Sequence, residues 1–321
     1  MYSYGNLGDP VHTKVGVIGL GFVGLPLALL FVKKGYHVTG IDIDKNKIAD
    51  LEKGSSYIPD IENSELKQAL AANTLTFADH YDGIKSCHII VICVPTPLTS
   101  DLKPDLSHLK KVSEELYPRL QEKQLVIVES STYPGTTRDV IQPILEKSNL
   151  RVGKEIHLSY SPERIDPGNK TLKIEQIPKI VSGISQNCLS FISGFYNHVF
   201  DTIVPTSSVE VAELAKLLEN SYRFINISFI NEMAMLCDKM DVNLWETIAA
   251  ASSKPYGFQP FYPGPGIGGH CIPIDPLYLY WAGKQREFHN QFLWLSKQTN
   301  DRMVDYVIKQ IKEKRRKKRQ K

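Results

Sequence analysis

The chain has 321 residues, 42% of them hydrophobic and 23% charged, the composition of a folded globular protein with room for about two domains. No apolar run approaches the roughly 18 residues of a membrane span. The opening MYSYGNLGDPVHTK lacks a signal-peptide pattern, and five widely spaced cysteines with no CxxC pair argue against a secreted disulfide framework or a zinc site. The net charge of +3 hides an asymmetry: the final KEKRRKKRQK carries +7 and leaves a mildly acidic body of about −4. These features predict a cytoplasmic protein that needs no metal and no membrane. The basic run has no nucleic-acid-binding motif beside it and reads as a solvated tail.

Apolar runs alternate with amphipathic stretches up to about residue 206. KVGVIG (14–19) reads as a buried strand, the stretch from Phe22 to Lys34 as a helix, and HVTGID (37–42) as the next strand. CHIIVICVP (87–95), QLVIVES (124–130), IHLSYSP (156–162), PKIVSG (178–183) and TIVPT (202–206) follow, with helices near 105–121, 136–147 and 185–198. This spacing predicts βαβ units and a parallel, doubly wound α/β sheet of Rossmann type over 1–206. The pattern then changes. From Ser208 to about Lys239 there is neither Gly nor Pro, which predicts a long spine helix, apolar on more than one face and suited to packing against a second copy. The helix VNLWETIAAAS follows, then a Pro/Gly/aromatic loop over about 255–276 and helices to about 311, so 207–311 reads as an all-helical central domain and 312–321 as a disordered tail.

Gly19-Leu20-Gly21-Phe22-Val23-Gly24 fits GxGxxG, directly after a strand and at the opening of a helix, with Asp42 closing the second strand. In that setting Gly19 allows the tight turn, Gly21 lets a pyrophosphate approach the backbone, and Gly24 permits close helix–strand packing. Asp42 suits the adenosine ribose hydroxyls and repels a 2′-phosphate, so the motif predicts NAD rather than NADP. Val94-Pro95-Thr96-Pro97 ends a strand and is either a stiff loop against the dinucleotide or a plain turn. Thr132, at another strand end, is a crevice hydroxyl or a helix cap.

Three further stretches carry reactive groups. Ser161-Pro162-Glu163-Arg164 puts a carboxylate at a strand mouth, as a surface ion pair also would. Lys216 and Asn220 lie four apart on one face of the long helix, a pattern that a solvated face shares. Cys271 and Asp275 lie four apart in the constrained loop GPGIGGHCIPIDP, and the other four cysteines sit in apolar or helical contexts. A dinucleotide with a nucleophilic thiol fits a four-electron oxidation. An aldehyde cannot lose a second hydride until a nucleophile adds to its carbonyl; a thiolate does so, giving a thiohemiacetal, then a thioester that water releases as a carboxylate.

At this point the ordered motifs, from the glycine fingerprint through VPTP, SSTYPGTT, SPER and ELAKLLEN to GIGGHCIPIDP, resemble the UDP-glucose/GDP-mannose dehydrogenase family over about 14–311. The resemblance implies oxidation of a sugar C6 alcohol to a uronic acid with two NAD, supplying polysaccharide biosynthesis. It implies Cys271 as nucleophile, Lys216 and Asn220 as oxyanion donors, Asp275 as a water- or lysine-linked acid/base partner, and Glu163 and Thr132 as the residues handling the hydrolytic water. It implies NAD contacts at Gly19, Gly21, Phe22, Val23, Gly24, Asp42, Val94, Pro95, Thr96 and Thr132. It also implies sugar-nucleotide contacts at Glu163, Arg164, Lys216, Asn220, Tyr256, Gly264, Gly266, Gly268 and Gly269. The length and apolar faces of the 208–239 helix predict a homodimer through it. SPERIDPGN and PFYPGPGIGGHCIPIDPLYLYW look most like the UDP-N-acetylglucosamine 6-dehydrogenase branch, with UDP-N-acetylmannosamine, UDP-glucose and a non-catalytic NAD-binding, dimerising fragment as alternatives. Family members usually continue into a second Rossmann-like domain that binds UDP, and no VLGxxYK-like strand follows residue 311 here.

Overall fold

The computed structural model describes residues 9–164, 172–269 and 271–319. They form two compact units: the chain up to Pro97 with Asp105–Lys216, and Leu98–Pro104 with the chain from Leu217 onward. The division falls inside the long helix, after Lys216, rather than ahead of it at 206.

The first unit begins with β1 (Lys14–Ile18), α1 (Gly24–Lys33), β2 (His37–Ile41), α2 (Lys45–Glu52), α3 (Asn63–Ala71), β3 (Leu75–Ala78) and β4 (Ile89–Ile92). It continues with α4 (Ser107–Leu116), β5 (Leu125–Val128), α5 (Gln142–Leu145), β6 (His157–Tyr160), β7 (Lys179–Gly183), α6 (Gln186–Tyr196) and β8 (Ile203–Pro205). The strands form one eight-stranded sheet in the order β3-β2-β1-β4-β5-β6-β7-β8. Successive side chains point to opposite faces, and both faces are covered. Ile89, Val91, Leu125 and Ile127 pack with α1 and α6, while Ile90, Ile92, Val126 and Val128 pack with α4 and α5. Burial on both sides explains why these strands read as continuous apolar runs.

The sheet departs from the expected parallel one at β6 and β7, which pair antiparallel with Ser159 opposite Gly183 and Tyr160 opposite Ser182. A parallel return needs a crossover element, and the described part of the β6–β7 connection holds only the 3₁₀ turn Ile174–Gln176. The sequence reading also missed β3, a four-residue edge strand, and the flanking α2 and α3, which bury only two side chains each. The helix expected over 136–147 is instead a π turn (Thr136–Ile141), the short α5 and a 3₁₀ turn (Glu146–Ser148). Pro143 has no N–H for an i→i−4 bond at that point, which favours the wider turn.

Helix α7 runs unbroken from Val209 to Met240, as its lack of Gly and Pro predicts. Ser208 Oγ accepts from Val211 N at its start. It stops where Asp241 takes a φ of +52° and Val242 N–H turns back to the Cys237 carbonyl. The second unit continues with α8 (Leu244–Ser252), α9 (Asp275–Lys284) and α10 (Gln291–Arg319). The stretch expected as a disordered tail is helical through Arg319, because Lys and Arg are good helix formers.

The packing at the first βα turn generates a test. A Cβ on Gly24 would lie 1.8 Å from the Gly19 carbonyl oxygen, a backbone atom with nowhere to go. Gly24→Ala is expected to cost about 3 kcal/mol, read as a lowered urea midpoint.

Candidate active site

The carboxyl ends of β1, β4, β5 and β6 open on one edge of the sheet, where doubly wound folds hold ligands. The ladder continues one residue past each strand: Gly19 N donates to Ile41 O, Cys93 N to Ile18 O, Glu129 N to Ile92 O and Ser161 N to Val128 O. The candidate residues therefore leave the sheet from fixed positions.

In the glycine turn the three glycines are required for different reasons. Gly19 has a φ of +89°, and a Cβ there would meet the Cys93 carbonyl at 2.6 Å. Gly24 is closed by the backbone of Gly19, while a Cβ on Gly21 would meet nothing within 4 Å. The open space over Gly21, at the N-terminal end of α1, is what a dinucleotide pyrophosphate requires. Phe22 is exposed beside it. Asp42 holds the turn: Oδ2 accepts from Leu20 N at 2.9 Å and Oδ1 from Asp44 N at 3.0 Å. Two residues that the motif does not include join it. Lys47 Nζ lies 3.8 Å from Asp42 Oδ2, and the Tyr57 hydroxyl donates to the Leu20 carbonyl.

The ends of β4 and β5 are stitched together. Thr96 Oγ1 donates to Ser131 O at 2.7 Å, and Ser130 Oγ donates to Val94 O at 2.7 Å, so Val94-Pro95-Thr96 is held against the Glu129–Thr132 stretch. Thr132 is fully buried and donates through Oγ1 to Glu213 Oε1 at 3.3 Å. Glu213 was not singled out from the sequence. Its Oε1 also accepts from Thr137 N at 2.8 Å and Thr137 Oγ1 at 2.7 Å, and its Oε2 accepts from Gly135 N at 2.7 Å. Burial pushes the Glu213 carboxyl up to about 7, against the hydrogen bonds from Thr137 and Gly135 that favour its charged form. One turn earlier, Glu210 pairs with Arg138 at 2.6 Å.

At the end of β6, Lys216 Nζ donates to the Glu163 carbonyl and Lys179 Nζ to the Pro162 carbonyl at 3.3 Å. Arg164 donates to the Pro178 carbonyl at 2.7 Å. Glu163, Arg164 and Lys179 line a pocket with Val23 of the glycine turn and Phe200. Residues 165–169 of the SPERIDPGN stretch lie outside the described residues, as does His270.

In the second unit, Asn220 Nδ2 donates to Asp275 Oδ2 at 2.6 Å, both side chains being buried. The Cys271 carbonyl accepts from Ile274 N and Asp275 N, so the cysteine stands on the turn that leads into α9. Cys271 is exposed, whereas the other four cysteines are buried; burial pushes the Cys87 thiol up to about 11 and the Cys93 thiol well above its ordinary value. The glycine loop before Cys271 is pinned by two asparagines missed in the sequence. Asn231 Oδ1 accepts from Gly264 N at 2.9 Å, and Asn300 Oδ1 accepts from Ile267 N at 2.6 Å. Asn231 is fully buried on α7, and a polar residue at a buried helical position is the signal that marks it. Gly266 and Gly269 have φ of +128° and +96°, and a Cβ on Gly264, Gly268 or Gly269 would meet nothing within 4 Å. That leaves bare backbone open to a ligand, with Tyr256 exposed on the same loop. Among the described residues, no group of three or more His, Cys, Asp or Glu is placed to hold a metal.

Comparison with known proteins places the chain in a family. The model for the NAD binding domain of the UDP-glucose/GDP-mannose dehydrogenase family matches residues 13–200, and the model for its central domain matches 210–302. A UDP-N-acetyl-D-glucosamine 6-dehydrogenase from Pseudomonas aeruginosa is 37% identical over 93% of this chain and 70% of its own length. A UDP-N-acetyl-D-mannosamine dehydrogenase from Pyrococcus horikoshii is 32% identical over 92% of this chain and 69% of its own. The solved structure of a UDP-D-ManNAc dehydrogenase from that organism superposes with a TM-score of 0.88, at 31% identity, over 94% of this chain and 71% of that one.

Two tests follow from these contacts. Gly21→Ala fills open space, so its stability is expected within about 0.5 kcal/mol of the parent, while calorimetry should read NAD binding weakened at least tenfold. Glu213 has a folded value of about 7 against an ordinary 4.5. The fold thus keeps a proton that the unfolded chain releases, and the contribution is greatest below about 4.5 and falls as pH rises to about 7. The loss is on the order of 3 kcal/mol. Between pH 5 and pH 8 the urea midpoint of the parent should fall relative to that of Glu213→Gln, which cannot ionise at that position.

Proposed function

The chain belongs to the UDP-glucose/GDP-mannose dehydrogenase family of NAD-dependent nucleotide-sugar dehydrogenases, and on that footing we propose that it oxidises the C6 alcohol of a UDP-N-acetylhexosamine, foremost UDP-N-acetylglucosamine, to the uronic acid. The observation that carries this reading is Cys271, the exposed thiol among five cysteines, on the turn that presents the Asp275–Asn220 pair.

NAD, when bound, would supply the hydride acceptor, one molecule for each of the two oxidations; Gly21, with open space above it, and Asp42 are the residues that would hold it. The Cys271 sulfur adds to the C6 aldehyde carbon, and the carbonyl pair becomes an oxyanion. Lys216 and Asn220 are the donors for that charge; Asp275, accepting from Asn220, orients its amide. After the second oxidation the sugar is a thioester on Cys271. Water adds to it, the C–S bond breaks, and the thiol and the carboxylate are released. Glu163 and Thr132 are assigned to that water. The Thr132 hydroxyl donates a hydrogen bond to Glu213, which leaves its oxygen lone pairs as acceptors.

UDP-N-acetylmannosamine is the second reading, favoured by the likeness to the Pyrococcus horikoshii relative. We also propose a cytoplasmic homodimer through 208–239, supported by the exposed Leu218, Phe229, Leu236 and Met240 on α7. No helix among the described residues is long and apolar enough to cross a membrane.

NADH formation on UDP-N-acetylglucosamine, UDP-N-acetylmannosamine and UDP-glucose decides the substrate, with two NADH expected per sugar. Cys271→Ser is expected to stop uronate formation and yield no more than one NADH per sugar. Uronate production by that variant at the parent rate overturns the thiol mechanism, and NAD binding without turnover on any of the three sugars overturns the proposal.

A further inference from the structure

The Pro162–Glu163 turn receives two ammonium groups on consecutive carbonyls, and the two are held differently. Lys216, on α7, donates to Glu163 O and makes no ion pair among the described residues. Lys179, at the start of β7, is locked. Its Nζ lies 2.7 Å from Glu129 Oε2, and the other oxygen of that carboxylate accepts from the Tyr196 hydroxyl. The ammonium also lies 5.7 Å from the centre of the Tyr196 ring and 5.3 Å from that of Phe200. The two paired side chains are 6% and 0% exposed.

Replacing a buried pair of this kind by apolar residues is often neutral or stabilising, so stability alone does not account for it. A donor does. Lys179 reaches Pro162 O, and no apolar side chain replaces that bond. The neighbouring residues tie back in the opposite sense: Arg164 donates to Pro178 O, and Ser161 Oγ donates to Ile180 O at 2.7 Å. The turn is thus fastened to β7 by bonds running both ways, and Glu129, Glu163 and Lys179 face one pocket together with Val23 of the glycine turn.

We infer that Lys179, locked by Glu129 and Tyr196, is a positioning residue: it anchors the Pro162–Glu163 backbone so that Lys216 can leave the Glu163 carbonyl for a substrate oxyanion without the turn following it. This rests on the roles given above to Lys216 and Glu163. The division of labour follows from the chemistry of the two sites. An ammonium that must meet a developing charge needs a partner it can exchange, such as a neutral carbonyl. An ammonium that must stay needs a buried carboxylate, which it cannot leave without stranding a charge.

The test is the double variant Lys179→Met/Glu129→Gln, which removes both charges and so buries no unpaired one. It is expected to melt within about 5 °C of the parent and to bind NAD within about threefold. Its kcat should fall at least about tenfold, with KM for the sugar nucleotide changed less than about threefold. Hydrogen exchange of the Glu163 and Arg164 amides should quicken at least about tenfold while the β5 amides hold. Parent-like kcat and parent-like exchange at those two amides overturn the anchor. If the parent turns over no sugar nucleotide, the functional reading fails on its own, and the exchange measurement still decides whether Lys179 holds the turn.

Discussion

Glu213 sits inside the first unit with no access to water and four hydrogen bonds, to Thr132, Gly135 and both the backbone and hydroxyl of Thr137. It lies three residues before Lys216 on the same helix. A charge in that position is expensive to bury, so the carboxyl is pushed up to about 7, and the donors around it offset part of that cost without a counter-ion. The bonds weld the first turns of α7 to the irregular segment after β5. From there the helix geometry places Lys216 on the Glu163 carbonyl at the end of β6. One acidic side chain thus sets the relation between two strand ends and the helix that serves them.

Much of this architecture could be read from the chain. Strands buried on both faces announce themselves as continuous apolar runs, and a helix of 32 residues without Gly or Pro is hard to mistake. The glycine turn was legible because each glycine answers a separate steric demand. Cys271 was legible by contrast, since the other four cysteines sit in apolar surroundings. What escaped has a common physical cause: its partners are distant in sequence. Glu213 looks like any exposed helical acid in ELAKLLEN, and its bonds reach back 76 to 81 residues. Glu129 and Lys179 are 50 apart and meet only after the sheet has formed. The π turn after β5 and the edge strand β3 escaped for a different reason. Each is short, and tertiary context outweighs local pattern over so few residues.

The antiparallel step between β6 and β7 has a functional side. A parallel β7 would enter the sheet from the opposite end and bring Lys179 in far from the Pro162–Glu163 turn. Running the strand backwards starts it beside that turn, so Lys179 opens β7 exactly one residue after the carbonyl that Arg164 holds. The irregularity in an otherwise parallel sheet is thereby tied to the site at its edge.

The contrast among the cysteines carries a consequence beyond mechanism. Four thiols are enclosed, and two of these have their ionisation suppressed by burial, while Cys271 stands open on its turn. Electrophiles and peroxides reach thiols in order of access. Cys271 is therefore the thiol that an electrophile or a peroxide in solution meets first, and modification there leaves the four thiols packed within the fold out of reach.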